Sequence, residues 1–435
     1  MEYITVENIN ISYITLFLVL LYTVALFYPV VKKTENTLKK IFIILLVVSY
    51  FVYSGLGISL LEDKGLYLTY YIIYTATLAF TFYIFRNKKI NFKFEEVHIE
   101  NFIHKYKFLF LEGYILLLLL LLVFPENKLS LLYNPPAVDI SKVMEIVRLE
   151  RKVEGFAAII TVLTNILMPF YYLSLIKYHD KPIKLFIYIL IPIYIIYCND
   201  EYIGRSTMVL NFLFYLAVLY YYNIEYRKRI VILGSIGLVM SLSFLSAYTY
   251  MRVGSSADDF TFMDSIKDLF VVECTFPLWF NDIYNNLNNT GETHITEYTL
   301  WLITQPIPGF LKSSFVDLNL TASIAKVLLG LDASDTVSYI PLSGLVCESV
   351  FVFGKFLFFI HAIILGFILN LFINTFLSKN NFRVLIIYSI IFAGLALGRA
   401  GTSTAPMYPF MIKTIFYLPI ILYIIHKFTL KKSTS

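Results

Sequence analysis

The segment MRVGSSADDF (Met251–Phe260) opens a long stretch of mixed polarity that interrupts an otherwise apolar chain. The same stretch contains EYTLWLITQPIPGFLKSSF (Glu297–Phe315) and ends within YIPLSGLVCESVFVFG (Tyr339–Gly354). Because long apolar runs flank it on both sides, the pattern predicts a large water-exposed loop, residues 251–348, between two membrane-spanning helices. We expect the chemistry of such a protein where this loop meets the helix ends.

The composition indicates a polytopic membrane protein. Hydrophobic residues make up 58% of the 435 residues, charged residues only 15%, and the mean hydropathy is +0.73, values that a soluble globular chain does not reach. The first ten residues, MEYITVENIN, contain no Lys or Arg, so we expect the first apolar run to be a permanent helix and not a cleaved leader. The whole chain, 1–435, is predicted to be one all-α membrane domain.

About eleven transmembrane helices are predicted when each span is given about twenty apolar residues. They cover residues 11–31, 41–61, 66–85, 107–125, 156–176, 184–199, 206–223, 229–250, 349–376, 383–399 and 407–426.

Every second loop between these helices is rich in Lys and Arg, as in Lys32 and Lys33 after the first helix and Arg227 to Arg229 after the seventh. The positive-inside rule places these loops in the cytoplasm. The amino terminus and the large loop are then predicted outside and the carboxyl terminus inside. Residues 126–155 form a second external segment, whose alternating apolar and charged residues predict an amphipathic helix at the membrane surface.

Three arginines are predicted at the outer ends of helices, on three different loops. Arg205 follows a short turn, Arg252 follows Tyr250 at the exit of the eighth helix, and Arg399 lies among Gly, Ser and Thr residues. A guanidinium group stays charged and binds diphosphate in a bidentate manner, so a cluster of arginines would suit a lipid-linked pyrophosphate. Pairing of Arg205 with a neighbouring carboxylate, or a plain turn around Arg399, would explain two of them without function.

Glu348 lies where the large loop enters the ninth helix, at the predicted boundary between water and lipid. It is interpreted either as a helix-capping carboxylate or as a general base. His294 and Trp301 in the large loop are candidate substrate-binding residues, although a loop histidine is more often simply solvated. Trp301 would belong to an aromatic platform for sugar rings, together with Trp279, Tyr284 and Tyr298.

The three cysteines, Cys198, Cys274 and Cys347, show no zinc-site spacing. A disulfide between Cys274 and Cys347 on an oxidising face remains open. No metal, cofactor or nucleic-acid site is expected.

The chain resembles the O-antigen or oligosaccharide repeat-unit polymerases (Wzy type) of bacterial inner membranes. The resemblance rests on the hydropathy profile, on IGRSTMVL around Arg205, on YMRVGS around Arg252, on QPIPGFL in the large loop and on GLVCESVFVFG around Glu348. Where many members carry a Trp-Pro-x-Lys-Pro-like run after the proline segment, this chain has GFLKSSFVDL.

The resemblance implies a GT-C-like helical fold and the transfer of an undecaprenyl-diphosphate-linked glycan onto another lipid-linked repeat unit, without a metal. Arg205, Arg252 and Glu348 lie on the family-like motifs and are the expected catalytic residues. Arg399, Tyr250, His294 and Trp301 are the expected substrate-binding residues. The implied location is the bacterial inner membrane, with membrane lipids and a chain-length regulator protein as further candidate partners.

Two other functions remain open. An O-antigen ligase would be expected to depend on a loop histidine such as His294. A flippase for lipid-linked oligosaccharides would be expected to carry charged groups within the helix bundle, whereas the sequence predicts them at one face.

Overall fold

The computed structural model describes residues 12–61, 64–91, 103–124, 126–136, 155–200, 205–237, 277, 279–307, 323–324, 327, 344–378, 382–404 and 407–433. This part of the chain is 88% helical and contains no strand. The predicted all-α class is therefore confirmed.

The described helices, numbered in chain order, are α1 (Tyr13–Lys33), α2 (Thr37–Tyr50), α3 (Gly65–Ile84), α4 (Lys107–Val123), α5 (Gly155–Leu175), α6 (Pro182–Asp200), α7 (Arg205–Tyr222), α8 (Ile224–Gly237), α9 (Trp279–Thr290), α10 (Ile295–Thr304), α11 (Gly344–Leu357), α12 (Phe359–Leu377), α13 (Arg383–Thr404) and α14 (Met407–Ser433). A π-helical turn (Phe51–Gly55) and a 3-10 turn (Leu56–Leu60) continue α2.

Several of these helices are long and apolar enough to cross a membrane. Among the described residues five satisfy both conditions, namely α1, α2 with its continuation to Ser59, α5 with its continuation to Tyr178, α6 and α12. A sixth span arises if α7 and α8, which meet at a bend of 115°, are counted together. A membrane protein is thus supported, while the number of about eleven spans stays a prediction.

One predicted boundary is wrong, because the span predicted over 349–376 is two helices, α11 and α12. The chain bends at Gly354, whose φ of 73° and ψ of −175° are not helical. The predicted span 383–399 corresponds to α13, which has the same kind of break at Gly401, with φ 75° and ψ −172°. Glycine adopts positive φ without steric cost, and a hydropathy profile does not detect the break at Gly354 within its apolar run.

Helix α11 lies in the centre of the helix bundle. Every residue from Gly344 to Gly354 is buried, and the helix contacts α3, α9, α10, α12 and α13. Around it, α2 packs along α13 and α3 packs along α12. The amino-terminal helices α2 and α3 therefore pack against the carboxyl-terminal helices α13 and α12, and α11 contacts α3, α12 and α13.

The close contact between α2 and α13 depends on small residues. A Cβ atom added at Gly398 would lie 2.6 Å from the backbone carbon of Ser49, and one at Gly394 would lie 3.0 Å from Cβ of Leu45. The Ser49 hydroxyl donates a hydrogen bond to the carbonyl of Leu395 at 2.9 Å. Glycines four residues apart allow two membrane helices to approach to backbone contact.

We expect Gly398→Ala to destabilise the protein by about 1–3 kcal/mol, the usual cost of overpacking a tight contact. The measurement is the thermal unfolding midpoint of the purified protein in detergent. Gly113→Ala in α4 is the matched control, since its added Cβ meets only Leu109 Cδ1 at 3.5 Å, an ordinary contact. Equal midpoints for the two variants would contradict the assigned packing.

The end of the bundle where α2 begins is held by a buried lysine. The Lys39 side chain, only 4% exposed, donates hydrogen bonds to the carbonyl of Arg86 and to Oδ1 of Asn374, both at 2.7 Å. Asn374 in turn donates to the carbonyl of Lys88 at 2.9 Å. The hydrogen bonds of one ammonium group therefore link the start of α2 to the segment after α3 and to α12.

Candidate functional site

A cluster of polar side chains lies inside the apolar bundle at the point where the helices are broken. Glu348 of α11, His361 of α12 and Thr402 of α13 are each 0% exposed. Polar groups buried to this degree are costly unless they are hydrogen-bonded to one another.

Thr402 holds the Glu348 carboxylate with two donors. Its backbone N–H donates to Oε2 at 2.6 Å, and its hydroxyl donates to Oε1 at 2.6 Å. His361 lies beside this pair, with Nε2 3.1 Å from the Thr402 hydroxyl oxygen and 3.8 Å from Glu348 Oε1. The other ring nitrogen, Nδ1, is 2.9 Å from the hydroxyl of Tyr74 on α3.

The donor and acceptor roles in this cluster are consistent with one tautomer of His361. Because the Thr402 hydroxyl gives its proton to Glu348, it can only accept from its other neighbours. Those neighbours are Nε2–H of His361 and the Tyr298 hydroxyl, which lies 3.0 Å away. Nδ1 is then free to accept from Tyr74. A proton on Nε2 of His361 is therefore consistent with the hydrogen bonds of all five side chains.

Gly401 is the residue that lets Thr402 reach the carboxylate. Its positive φ turns the chain out of the α13 helix, so that the next N–H has no helical partner and points at Glu348. A Cβ atom at this position would lie 1.8 Å from Glu348 Oε2. The sequence therefore requires glycine here both for the backbone turn and for the space.

Aromatic side chains of the large loop cover the cluster. Tyr298 of α10 is fully buried, and its ring centroid lies 5.4 Å from that of His361. Trp301, one helical turn further on, stacks on Tyr408 of α14 at 6.3 Å with 17° between the ring planes. Burial raises the pKa of the Tyr298 phenol, as does the charge of Glu348. Tyr298 therefore stays protonated and can act as a donor to Thr402.

His294 attaches the segment before α10 to α11, the helix that is broken at Gly354. Its backbone N–H donates to the carbonyl of Val352 at 3.0 Å, and its ring stacks on Phe351 at 4.3 Å. Its Nδ1 lies 3.8 Å from Oε1 of Glu297. The structure thus places His294 where it positions the segment before α10, next to the break at Gly354.

The structure brings some of the predicted site residues together. Glu348 and Trp301 lie around the same cluster, and His294 packs against Phe351, three residues after Glu348 on α11. Arg399 lies on α13, partly buried and two residues before Gly401.

The other predicted site residues cannot be placed. Arg205 begins α7, but its side chain lies outside the described residues, as do Arg252 and Tyr250 entirely. Convergence of the three arginines therefore stays a prediction.

Glu348 is fully buried among the helices, and its predicted position at the water–lipid boundary stays a prediction. The span containing Glu348 enters the centre of the bundle, and α10 closes over it. The capping interpretation assumes a carboxylate at the first turn of the helix, whereas Glu348 is the fifth residue of α11 and binds the backbone N–H and the hydroxyl of Thr402 at the break in α13. The amphipathic segment 126–155 is described only over 126–136 and at Gly155, so its predicted helix remains open.

Two members of the cluster, His361 and Thr402, were not singled out by the sequence. The signal for His361 is present, since an ionisable residue stands in the apolar run FIHAIILG (Phe359–Gly366), where such residues are usually functional. Thr402 has no comparable signal, because Ser and Thr are common in membrane helices.

No group of three or more His, Cys, Asp or Glu side chains able to hold a metal occurs in the described ranges. Cys347 is buried on α11, whereas Cys274 lies outside the described residues, so the proposed disulfide stays untested. Comparisons of the chain with known protein families, with curated proteins and with solved structures find no significant match.

Proposed function

We propose that the protein is a membrane glycosyltransferase that polymerises undecaprenyl-diphosphate-linked oligosaccharide repeat units at the outer face of a bacterial inner membrane. The observation that supports this most strongly is the Glu348–Thr402–His361 cluster beneath Tyr298 and Trp301. It combines a carboxylate, an imidazole and aromatic faces at the place where the large loop meets the helices. Aromatic faces pack on sugar rings, and the carboxylate and the imidazole lie 3.8 Å apart.

In the proposed reaction the acceptor sugar hydroxyl attacks the anomeric carbon of the donor glycan. The new glycosidic bond forms as the bond to the lipid diphosphate breaks, and Glu348 takes the hydroxyl proton as general base. The diphosphate leaves with its negative charge, which Arg205, Arg252 and Arg399 neutralise. Because Glu348 is fully buried under α10, this role requires α10 to move when the acceptor binds.

A flippase for lipid-linked oligosaccharides is a second candidate, favoured by a different observation. Transporters bind substrates at discontinuous helices near the middle of the membrane. Helix α13 is broken at Gly401, the run from Gly344 to Leu377 is broken at Gly354, and a carboxylate and an imidazole lie buried beside these breaks. Charged groups inside the bundle are what the flippase function requires.

The surface polysaccharide of a deletion strain distinguishes these functions. Loss of a polymerase should leave single repeat units on the lipid A core and remove the longer ladder on a gel. Loss of a flippase should remove the surface repeats altogether, and loss of a ligase should leave finished polymer on undecaprenyl diphosphate. Either of the last two patterns would overturn the polymerase proposal.

The same assay tests the predicted arginine site. We expect Arg252→Ala to reproduce the single-repeat pattern, because the leaving diphosphate would lack a counter-charge. Arg227→Ala is the matched control, since Arg227 lies in a basic loop predicted on the opposite face and donates to the carbonyl of Tyr220 at 3.0 Å. The Arg227→Ala variant should restore the full ladder. A full ladder from Arg252→Ala would remove that residue from the site.

A further inference from the structure

A groove lies between α1 and α3. It has a volume of about 510 Å³ and is open along one side. Its lining residues are Leu26, Pro29, Val30, Ala76, Thr77, Ala79, Phe80 and Tyr83. Pockets for small-molecule ligands usually measure roughly 300–1,000 Å³, so the groove is large enough to hold part of an organic ligand.

The shape of the groove follows from its residues. Val30 and Ala79, each 4% exposed, form the floor, and the small side chains of Pro29 and Ala76 leave the space above it unfilled. Phe80, which is 64% exposed, forms one rim. Apart from the Thr77 hydroxyl, which donates to the carbonyl of Ile73 at 2.8 Å within its own helix, and the Tyr83 hydroxyl at one end, the lining is apolar. A hydrocarbon chain matches such a surface.

The end of the groove at Tyr83 is positively charged. The Lys33 ammonium donates to the Tyr83 hydroxyl at 2.6 Å and lies 4.8 Å from the ring centroid. The Arg86 guanidinium carbon lies 4.8 Å from the same ring. Within the described residues neither cation forms a salt bridge with a carboxylate. Two cations on one ring repel each other, and an anion placed between them would remove that repulsion.

We propose that this groove binds an anionic phospholipid of the bilayer, with one acyl chain between α1 and α3 and the phosphate between Lys33 and Arg86. The site lies at the same end of the bundle as Lys39, where the basic loops occur. Positively charged residues at the membrane surface attract anionic lipids, and an arginine and a lysine together supply both bidentate and point-charge contacts to a phosphate. A zwitterionic lipid brings its own cation to the same place and is bound less tightly.

The test is a lipid titration of the purified full-length protein in detergent, followed by native mass spectrometry. The probes are dioleoylphosphatidylglycerol and dioleoylphosphatidylcholine. The wild-type protein should prefer the anionic lipid in its tightest binding event. Replacing both cations, Lys33→Gln and Arg86→Gln, should weaken that event by about fivefold per residue and weaken phosphatidylcholine binding less, so that the preference for the anionic lipid is lost. These substitutions keep the Arg86 carbonyl that accepts from Lys39.

Two further variants locate the site. Ala76→Phe would fill the groove without changing the charge and should weaken binding of both lipids. Lys88→Gln is the control, because Lys88 is an exposed cation close in sequence that does not line the groove, and it should bind both lipids like the wild type. The proposal is overturned if the wild type shows no preference for phosphatidylglycerol, if the double variant retains that preference, or if Lys88→Gln weakens binding as much as the double variant does.

Discussion

Gly401→Ala is expected to abolish polymer formation and to lower the free energy of unfolding by on the order of 3 kcal/mol. The added methyl group would lie 1.8 Å from Glu348 Oε2, far inside contact distance. The φ of 75° that this position requires is also unfavourable for alanine. The carboxylate would have to leave Thr402, so both the packing and the arrangement of the cluster are lost. The measurements are the polysaccharide ladder in cells and the thermal midpoint in detergent.

A double variant separates the two causes of that loss. In Glu348→Ala with Gly401→Ala the clashing oxygen is absent, so part of the stability should return while the ladder remains absent. Such a recovery means that the two losses of stability are not additive, and non-additive losses are expected where the two residues interact directly. Additive losses of stability in the double variant would contradict the geometry described here.

Glu348→Gln is expected to lower the rate of polymer formation by about 10²–10⁴-fold, the usual contribution of a general base, while changing stability little. The amide oxygen can still accept from the Thr402 backbone N–H, and the amide NH2 group can donate to the Thr402 hydroxyl, which then turns its own proton to the Tyr298 oxygen. The shape of the cluster is kept, while the charge and the basicity are lost. Glu348→Ala should lose the same activity and also about 1–3 kcal/mol of stability, because it leaves buried donors of Thr402 unsatisfied.

These outcomes are measured with purified protein in liposomes, using a synthetic undecaprenyl-diphosphate-linked repeat unit as both donor and acceptor. His294→Ala is the comparison variant, since His294 lies on the loop beside Gly354 and not in the hydrogen-bonded cluster. It should slow the reaction less than Glu348→Gln does. If Glu348→Gln polymerises at the wild-type rate, the carboxylate has only a structural role, and the proposed mechanism is wrong.

Hydrophobicity alone was sufficient to predict most helices of this protein. The predicted spans 11–31 and 66–85 agree with α1 and α3 to within a few residues, because long apolar runs have no alternative to helix in a bilayer. The breaks at Gly354 and Gly401 could not be predicted in the same way. Gly354 lies in a run that is apolar on both sides except for Lys355, whereas Gly401 lies two residues beyond the predicted span, among Gly, Ser and Thr residues. In both cases the break itself is a backbone angle, which a hydropathy profile does not report.

The candidate site could be predicted only in part, for a similar reason. Glu348 was recognised because a carboxylate beside an apolar helix is unusual, but its partner depends on how α13 folds back at Gly401. Thr402 is 54 residues from Glu348, and no local pattern links them. His361 had a signal in its apolar surroundings, whereas its contact with Tyr74, 287 residues away, is visible only in three dimensions.

The buried ammonium of Lys39 has a consequence for how the chain is assembled in the membrane. Lys39 and its acceptor Asn374 are 335 residues apart, so Lys39 leaves the ribosome long before the side chain that receives its hydrogen bond. The Arg86 carbonyl is available to this ammonium group as soon as α3 has been made, whereas the bond to Asn374 must wait for α12. The start of α2 therefore completes its hydrogen bonds only after α12 has been made.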